Sequence, residues 1–559
     1  MRGTARWGAM VEPVVETARE ETQRSFARVP LPRAWSGRRR ETGVLLAVML
    51  YLAVTLSLYI GRLTFIHEEP RRAIVAQEMI QRGDYIAPTV FHRPYFKKPP
   101  FHNWLIALSA LPSGRVTERG ARSVSVIAFL ALGALVYASL RRTRPELALP
   151  AALMTLTSYL TACEYGNWAE PDMLLGLLGF LAYFFYMKEP RRPLSFALSV
   201  LFMGMGILTK GVLPLFFYPG LLVWLLTGGA PRGRAQARAL GLLGLHLVLA
   251  LAVAGAWAGA LWMRGDLGKL LHTGVTEIAD KSTGTITHFL THLAVYPVRI
   301  GIVLLPWTLA VALAFRRARS GDRMYRSSFW IALTSLLALV VASGSRDRYI
   351  LPAVPFLAIV GAWHFDRERP VAPWLGRVTI AFLGLVCAAA IVMGIRLGYT
   401  VPVIVMAAAL VALAWLFTRR FRALELALIA ALFIVTGYEH GIYYDKAERK
   451  GNYDALVSAI AERADASVPL VVDEGVPMIH LAFYLEAGLG RPVYGSGVAK
   501  FDRFFLLTTP KRAKPGGKEI LRVSYPRNDV GEIIVQELGP TSAREGEEEA
   551  RRMVEPAIR

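Results

Sequence analysis

Cysteine is almost missing from this chain. Its 559 residues hold two, Cys163 and Cys387, both inside or beside apolar runs, so neither a disulfide framework nor a cysteine-based zinc site is available. Acidic residues are scarce beside basic ones, 42 against 64, for a formal net charge of +22. Gathered on one surface, that excess would suggest nucleic acid. Here it falls as short clusters between apolar runs, the pattern of cytoplasmic loops in a membrane protein, and no nucleic-acid partner is expected. No internal repeat is visible. No cleaved secretory leader is expected either, because the first apolar run is too long for a signal core and has no convincing small-residue cleavage site.

What is present is apolar length. Hydrophobic residues make up 54% of the chain and mean hydropathy is +0.39, too high for an ordinary water-soluble protein. Membrane-length runs lie at about 43–64, 119–140, 147–165, 171–187, 194–209, 212–228, 239–263, 298–315, 328–343, 349–365, 376–397, 401–418 and 423–438, giving about thirteen spans. Every second connection is arginine-rich: Arg141, Arg142 and Arg144; Lys188, Arg191 and Arg192; Arg232, Arg234 and Arg238; Arg316, Arg317 and Arg319; Arg367 and Arg369; Arg419, Arg420 and Arg422. The positive-inside rule places these and the N-terminal segment in the cytoplasm, and the two long loops after Tyr59 and Met263 outside. The C-terminus then falls outside as well. The second long loop, from about Arg264 to Pro297, is expected to fold partly as interfacial helix.

The domains expected are a cytoplasmic segment at 1–42, a transmembrane domain at 43–443, a periplasmic soluble α/β domain at 444–540 and a charged tail at 541–559. Alternating strand-like and helical runs such as VPLVVDE, IHLAFYLEAG and EIIVQE support the third of these.

Chemistry concentrates in the first outer loop. Glu68, Glu69 and Pro70 open a helix as the dipole and proline's fixed φ favour, and Gly83 closes it. Ala73, Ala76 and Ile80 recur at helical spacing while Arg72, Gln77 and Arg82 are polar, which predicts an interfacial amphipathic helix. Successive helical residues point about 100° apart, so Glu68 and Glu69 cannot share one task; one works on substrate while the other pairs with Arg71 or Arg72. Downstream, Tyr95, Phe96, Lys97, Lys98, Pro99 and Pro100 lead into a second interfacial stretch with His102, Asn103 and Trp104. Lysine suits phosphate, although either lysine alone fits equally well as a side chain snorkelling to headgroups.

These residues resemble the GT-C glycosyltransferases that use polyprenyl-phosphate sugars, the group of aminoarabinose (lipid A) transferase and relatives of protein O-mannosyltransferases. The family's Asp-Glu pair, following Arg, Glu-Met, Gly-Asp-Trp and Phe-Glu-Lys-Pro-Pro read here as Glu68, Glu69, Arg71, Glu78, Met79, Gly83, Asp84, Tyr85, Phe96, Lys97, Lys98, Pro99 and Pro100. Arg122-Ser123, Glu170-Pro171-Asp172, Leu208-Thr209-Lys210-Gly211 and SGSRDRYILP at 343–352 continue the likeness. Two departures stand out. Glu68 replaces an Asp, keeping the carboxylate, and Lys97 replaces a Glu, reversing the charge and suggesting a different acceptor or carrier contact.

The resemblance implies a GT-C fold and a periplasmic-face transfer of a sugar from an undecaprenyl-type phosphate to a glycolipid, polysaccharide or protein. It implies a single displacement that inverts the anomeric centre. Glu68 is the expected base, with Asp172 or Glu170 as alternative or as acceptor-positioning group. Glu69, Arg71, Tyr95, Lys98, Lys210, Arg346, Arg348 and Tyr349 are expected to bind substrate. A divalent metal is compatible with His67, Glu68 and Glu170, though no spacing is diagnostic. Blander readings exist for most of these: a membrane-boundary pair for Glu170 and Asp172, a local ion pair for Arg346, Asp347 and Arg348, an interfacial helix face for His288 and His292. Lys210 resists one, because a lysine between short apolar runs on the outer side opposes the charge rule. The rival functions are a flippase or transporter of lipid-linked sugars and a non-catalytic envelope assembly factor. Against the transporter, charges gather at the outer surface, not mid-bilayer, and no interrupted helices recur in matching halves.

Overall fold

Lipid offers a backbone no hydrogen bonds, so apolar runs must fold as helices. The computed structural model describes residues 34–61, 63–188, 192–282, 285–315, 322–363, 388, 392, 395, 396, 453–473, 478–496, 501–524 and 532–539. By internal contacts the chain divides into Met1–Ala47 and Val48–Arg559. The expected spans at 376–397, 401–418 and 423–438 lie outside the described residues apart from those four, as do most of 1–42 and all of 541–559.

The chain opens with helix α1, Ala34–Tyr59, followed by α2, Glu69–Arg82, a hairpin of β1, Thr89–Val90, with β2, Arg93–Pro94, and α3, Phe101–Ser109. Next come α4, Glu118–Leu140, α5, Pro145–Thr157, α6, Pro171–Lys188, α7, Pro193–Lys210, α8, Phe217–Trp224, and α9, Arg234–Met263. Then follow α10, Leu267–Ser282, α11, Ile286–Val303, α12, Thr308–Ala314, α13, Arg323–Val341, and α14, Val354–Ala362. Among the described residues five helices are long and apolar enough to cross a membrane: α4, α7, α9, α11 and α13. Their starts follow local chemistry. The Thr117 hydroxyl accepts from the Gly120 amide at 3.1 Å and the Asp322 carboxylate from Tyr325 at 2.9 Å, each satisfying an otherwise orphaned amide.

Two expected spans are corrected. The run at 298–315 is not one helix: α11 begins at Ile286, capped by Thr285, and a turn containing Pro306 separates it from the short α12. The polar Thr and His residues at its start hid an apolar stripe that includes Leu290, Leu293 and Val298. The run at 147–165 is α5 followed by a wide π-type turn at Leu160–Tyr165.

Helix α6 packs on α7, α4 on α5 and α8 on α13. The last pair approaches so closely that a Cβ at Gly220 would sit 2.4 Å from the Ile331 Cα. On the face with the arginine-rich loops, the Arg144 Nε meets Asp322 Oδ2 at 2.7 Å.

The opposite face carries α2, α3 and a C-terminal α/β layer. It comprises α15, Tyr453–Arg463, β3, Leu470–Val472, α16, Met478–Leu489, β4, Val493–Gly495, β5, Phe504–Thr508, β6, Lys518–Ser524, and β7, Glu532–Leu538. The sheet runs β4-β3-β5-β7-β6, with β3 parallel to β4 and β5, and β7 antiparallel to β5 and β6. Helix α16 packs directly on α2, and Phe65, Ile74 and Ile106 share one core with Leu456, Phe483 and Leu507. The Tyr484 hydroxyl fastens the junction, accepting from the Phe65 amide at 2.7 Å and donating to Glu118 at 2.9 Å. Helix α2 therefore keeps its expected bounds, with Gly83 closing it at φ 63°, but of the polar residues expected on its outer face Arg72 and Gln77 are buried and only Arg82, in the last turn, is exposed. The α/β layer covers the surface that the sequence pattern left for water and lipid headgroups.

Candidate functional site

The two adjacent carboxylates that open α2 part company. Glu69 turns inward and is fully buried. Its Oε1 accepts from Arg122 Nε at 2.8 Å and from the Ala169 amide at 2.7 Å, and its Oε2 from Arg122 Nη2 at 2.7 Å and the Ile66 amide at 2.8 Å. Arg122 also donates to the carbonyls of Ile60, Leu63 and Thr64 at 3.0, 2.7 and 2.9 Å. The expectation of a substrate contact at Glu69 is corrected: both oxygens are saturated by groups that fix the loop before α2 and the turn before α6. Glu68 stays part-exposed, 2.6 Å from Arg71.

Around that anchor five buried or half-buried ionic groups converge from distant parts of the chain. Arg72, on α2, lies 3.7 Å from Glu170 Oε2 and donates to the Tyr95 hydroxyl at 3.4 Å. Arg348, in the 3-10 turn Asp347–Ala353, donates to Glu170 Oε1 at 3.0 Å. Lys210, the last residue of α7, pairs with Asp172 in the first turn of α6 and stands over the Tyr349 ring, 4.4 Å from its centre. Gly211 follows it at φ 67°, a conformation open to glycine that turns the chain sharply away. Burial raises the Glu170 carboxyl above its ordinary range, opposed by Arg72 and Arg348. Three cations, Arg72, Lys210 and Arg348, against two carboxylates leave one positive charge in a largely buried cluster, where it is least screened.

His102, on α3, joins this group. It is 1% exposed and neither ring nitrogen has a hydrogen-bond partner. Burial, reinforced by Arg72 and Lys210, holds its imidazole down to about 3, so it is neutral at physiological pH. A neutral imidazole offers one donor and one acceptor to a bound molecule.

Of the residues expected at the site, the structure brings together Tyr95, Glu170, Asp172, Lys210, Arg348 and Tyr349. Lys98 lies half-buried two residues before Pro100, which caps α3. Arg346 is exposed, and its carbonyl accepts from the Tyr296 hydroxyl at 3.0 Å. Arg72 and His102 are the additions. Both stood in the charged loop, but Arg72 read as a polar outer-face residue and His102 as an interfacial one. His67, Glu68 and Glu170 do not form a metal-ligand set. The His67 ring lies 5.1 Å from that of Trp168, Glu68 engages Arg71, and Glu170 sits between two guanidinium groups that would repel a cation.

Comparison with known proteins bears on this arrangement at two levels. The structure superimposes on ArnT from Cupriavidus metallidurans in the apo state with a TM-score of 0.70, covering 90% of this chain and 99% of that one at 16% identity. The chain has the GT-C fold. ArnT bound to undecaprenyl phosphate gives a TM-score of 0.69 at 18% identity, over 89% of the GT-C chain described here and 98% of the other. In sequence the chain is similar to aminoarabinose transferases. It is 28% identical over 377 residues to the undecaprenyl phosphate-alpha-4-amino-4-deoxy-L-arabinose arabinosyl transferase of Pectobacterium atrosepticum, spanning 64% of its own length and 65% of the relative's. The protein of the same description from Pseudomonas aeruginosa is 28% identical over 342 residues, 58% of this chain and 59% of the relative. Residues 97–257 match the family described as dolichyl-phosphate-mannose-protein mannosyltransferase, a stretch that takes in Lys98, Glu170, Asp172 and Lys210 but not Glu68.

Proposed function

We propose that this chain is an integral-membrane glycosyltransferase that takes a sugar from an undecaprenyl-type phosphate donor and passes it to an acceptor hydroxyl at the outer face of a bacterial inner membrane. Lipid A-like glycolipids, polysaccharides and protein side chains all present such a hydroxyl. The observation that carries this reading is the net positive, buried cluster of Arg72, Lys210 and Arg348; Glu68 stands at the start of the helix that carries Arg72. As the anomeric bond breaks, negative charge grows on the departing phosphate, and preorganised cations in a water-poor site stabilise that charge most. Lys210 and Arg348 act on the phosphate, Asp172 and Glu170 hold them in place, and Tyr95 and Tyr349 flank the group. Glu68 takes the proton of the incoming hydroxyl on the other side of the sugar. One displacement inverts the anomeric configuration. The arginine-rich loops put the site face outside, on about thirteen spans with the α/β layer in the periplasm.

The test is release of polyprenyl phosphate from purified protein in lipid nanodiscs, followed by mass spectrometry with a panel of polyprenyl-phosphate sugars. Lys210→Met and Arg348→Met are expected to slow release by about 10²–10³-fold, and Glu68→Gln to stop transfer while donor binding persists. In sealed proteoliposomes, a lipid-linked sugar that changes leaflet with its phosphate bond intact would mark a transporter instead.

A further inference from the structure

A second cluster of ionisable side chains lies outside the site above, where three separate parts of the chain meet. Glu78 comes from α2, His92 from the turn between β1 and β2, and Glu486 from α16 of the α/β layer. One ligand atom from each lies within 4.8 Å of the others, and His92 Nε2 is 3.8 Å from Glu486 Oε1.

Both carboxylates are fully buried, yet neither oxygen of Glu486, nor Glu78 Oε1, nor His92 Nε2 has a hydrogen-bond partner. The Gln81 side chain and the Val493 amide are near Glu486 without closing a bond to it. Glu78 Oε2 is held by the Thr89 hydroxyl and by the His92 amide at 3.1 Å, so its other oxygen is the one turned to the cluster. A hairpin turn with φ 55° at Phe91 and 58° at His92, costly for residues other than glycine, sets the imidazole there, 5.2 Å from the Tyr494 ring. Such unsatisfied groups are expensive to bury. Burial and their mutual repulsion push Glu486 up to about 9, and burial lifts Glu78 to about 7.

We infer that Glu78, His92 and Glu486 bind one divalent cation of the zinc class, which staples the α/β layer to the first loop. Two carboxylates balance the dication, and one imidazole with two oxygens is a donor set that zinc accepts, with a water completing four-coordination. Ligand atoms on an ion at about 2.0–2.2 Å stand closer together than these three, so binding draws them inward. The Arg82 guanidinium, whose charge acts on both Glu78 and His92, is engaged by Thr89 at 2.9 Å and by Asp84 at 3.6 Å. This site does not depend on the proposed transfer reaction. It bears on that reaction only because α2 also carries Arg72.

The experiment uses full-length protein in detergent, stripped with chelator and titrated with zinc. Wild type is expected to bind one more zinc per chain than His92→Gln or Glu486→Gln, and zinc is expected to raise the thermal midpoint of wild type alone. X-ray absorption at the zinc edge is expected to show one imidazole among oxygen ligands. Equal zinc stoichiometry in wild type and variants overturns the inference, as does an unmoved wild-type midpoint or an edge spectrum with no imidazole. If Glu486→Gln does not fold, His92→Gln and the absorption spectrum decide.

Discussion

At the scale of single residues, Arg122 is the group whose loss should be felt most. It neutralises Glu69 and satisfies three carbonyls of the loop that leads into α2. Arg122→Met would remove two of the four hydrogen bonds to Glu69 and break a buried ion pair, a class of change that costs about 3–5 kcal/mol. The expected result is a marked fall in the thermal midpoint of the purified protein, with Glu69→Gln on top of Arg122→Met adding less than its effect alone. His102 gives a pH signature. Its folded value of about 3 lies below the ordinary 6.5, so the unfolded chain binds the extra proton between those values. Its contribution is complete above 6.5 and is lost as pH falls toward 3. Denaturation midpoints from pH 7 down to 4 should therefore drop less steeply in His102→Phe than in wild type, and equal slopes would remove His102 as a cause. How adjacent carboxylates divide their work was only half legible. Helical geometry says that Glu68 and Glu69 point apart, but which one turns inward depends on Arg122 and Ala169, 53 and 100 residues away from Glu69.

Among the elements, the tightest junction is the crossing of α8 and α13. Gly220→Ala puts a methyl group against backbone that cannot step aside, at 2.4 Å from the Ile331 Cα, and overpacking of that kind costs about 1–3 kcal/mol. Gly241→Ala in α9, where nothing lies within 4 Å of the new carbon, is the matched control, and its thermal midpoint should be unchanged or slightly higher. Elements whose ends are written in local chemistry were legible: α2 between its acidic opening and Gly83, α4 after Thr117, α7 from Pro193 to Lys210. The start of α11 was not, because Thr and His at its first turns lower hydropathy while leaving an apolar stripe intact. Nor was the β1–β2 hairpin, whose turn places Phe and His where Asn-Gly would announce it.

For the whole molecule, the segregation of charge is the feature that turns a fold into a functional claim. The sequence shows arginine clusters in alternate connections, and the structure gathers Arg72, Glu170, Asp172, Lys210 and Arg348 at the opposite ends of the helices. What the sequence could not show is that the α/β layer closes over α2, because that contact is made by Phe483 and Tyr484 with Phe65 across more than four hundred residues. The two ends of α4 give the sidedness test. A helix of 23 residues spans about 35 Å at 1.5 Å per residue, enough for a hydrocarbon core of about 30 Å, so Arg115 just before it and Arg142 just after it must lie on different sides. Both are exposed. The native Cys163 is buried, and replacing Cys387 by Ser removes the other thiol. In that background, Arg115→Cys should react with a membrane-impermeant maleimide added to intact spheroplasts, whereas Arg142→Cys should react only after the membrane is opened. The reverse pattern would put Lys210 and Arg348 in the cytoplasm and remove the outer-face transfer reaction, leaving the fold and the buried cluster as they are.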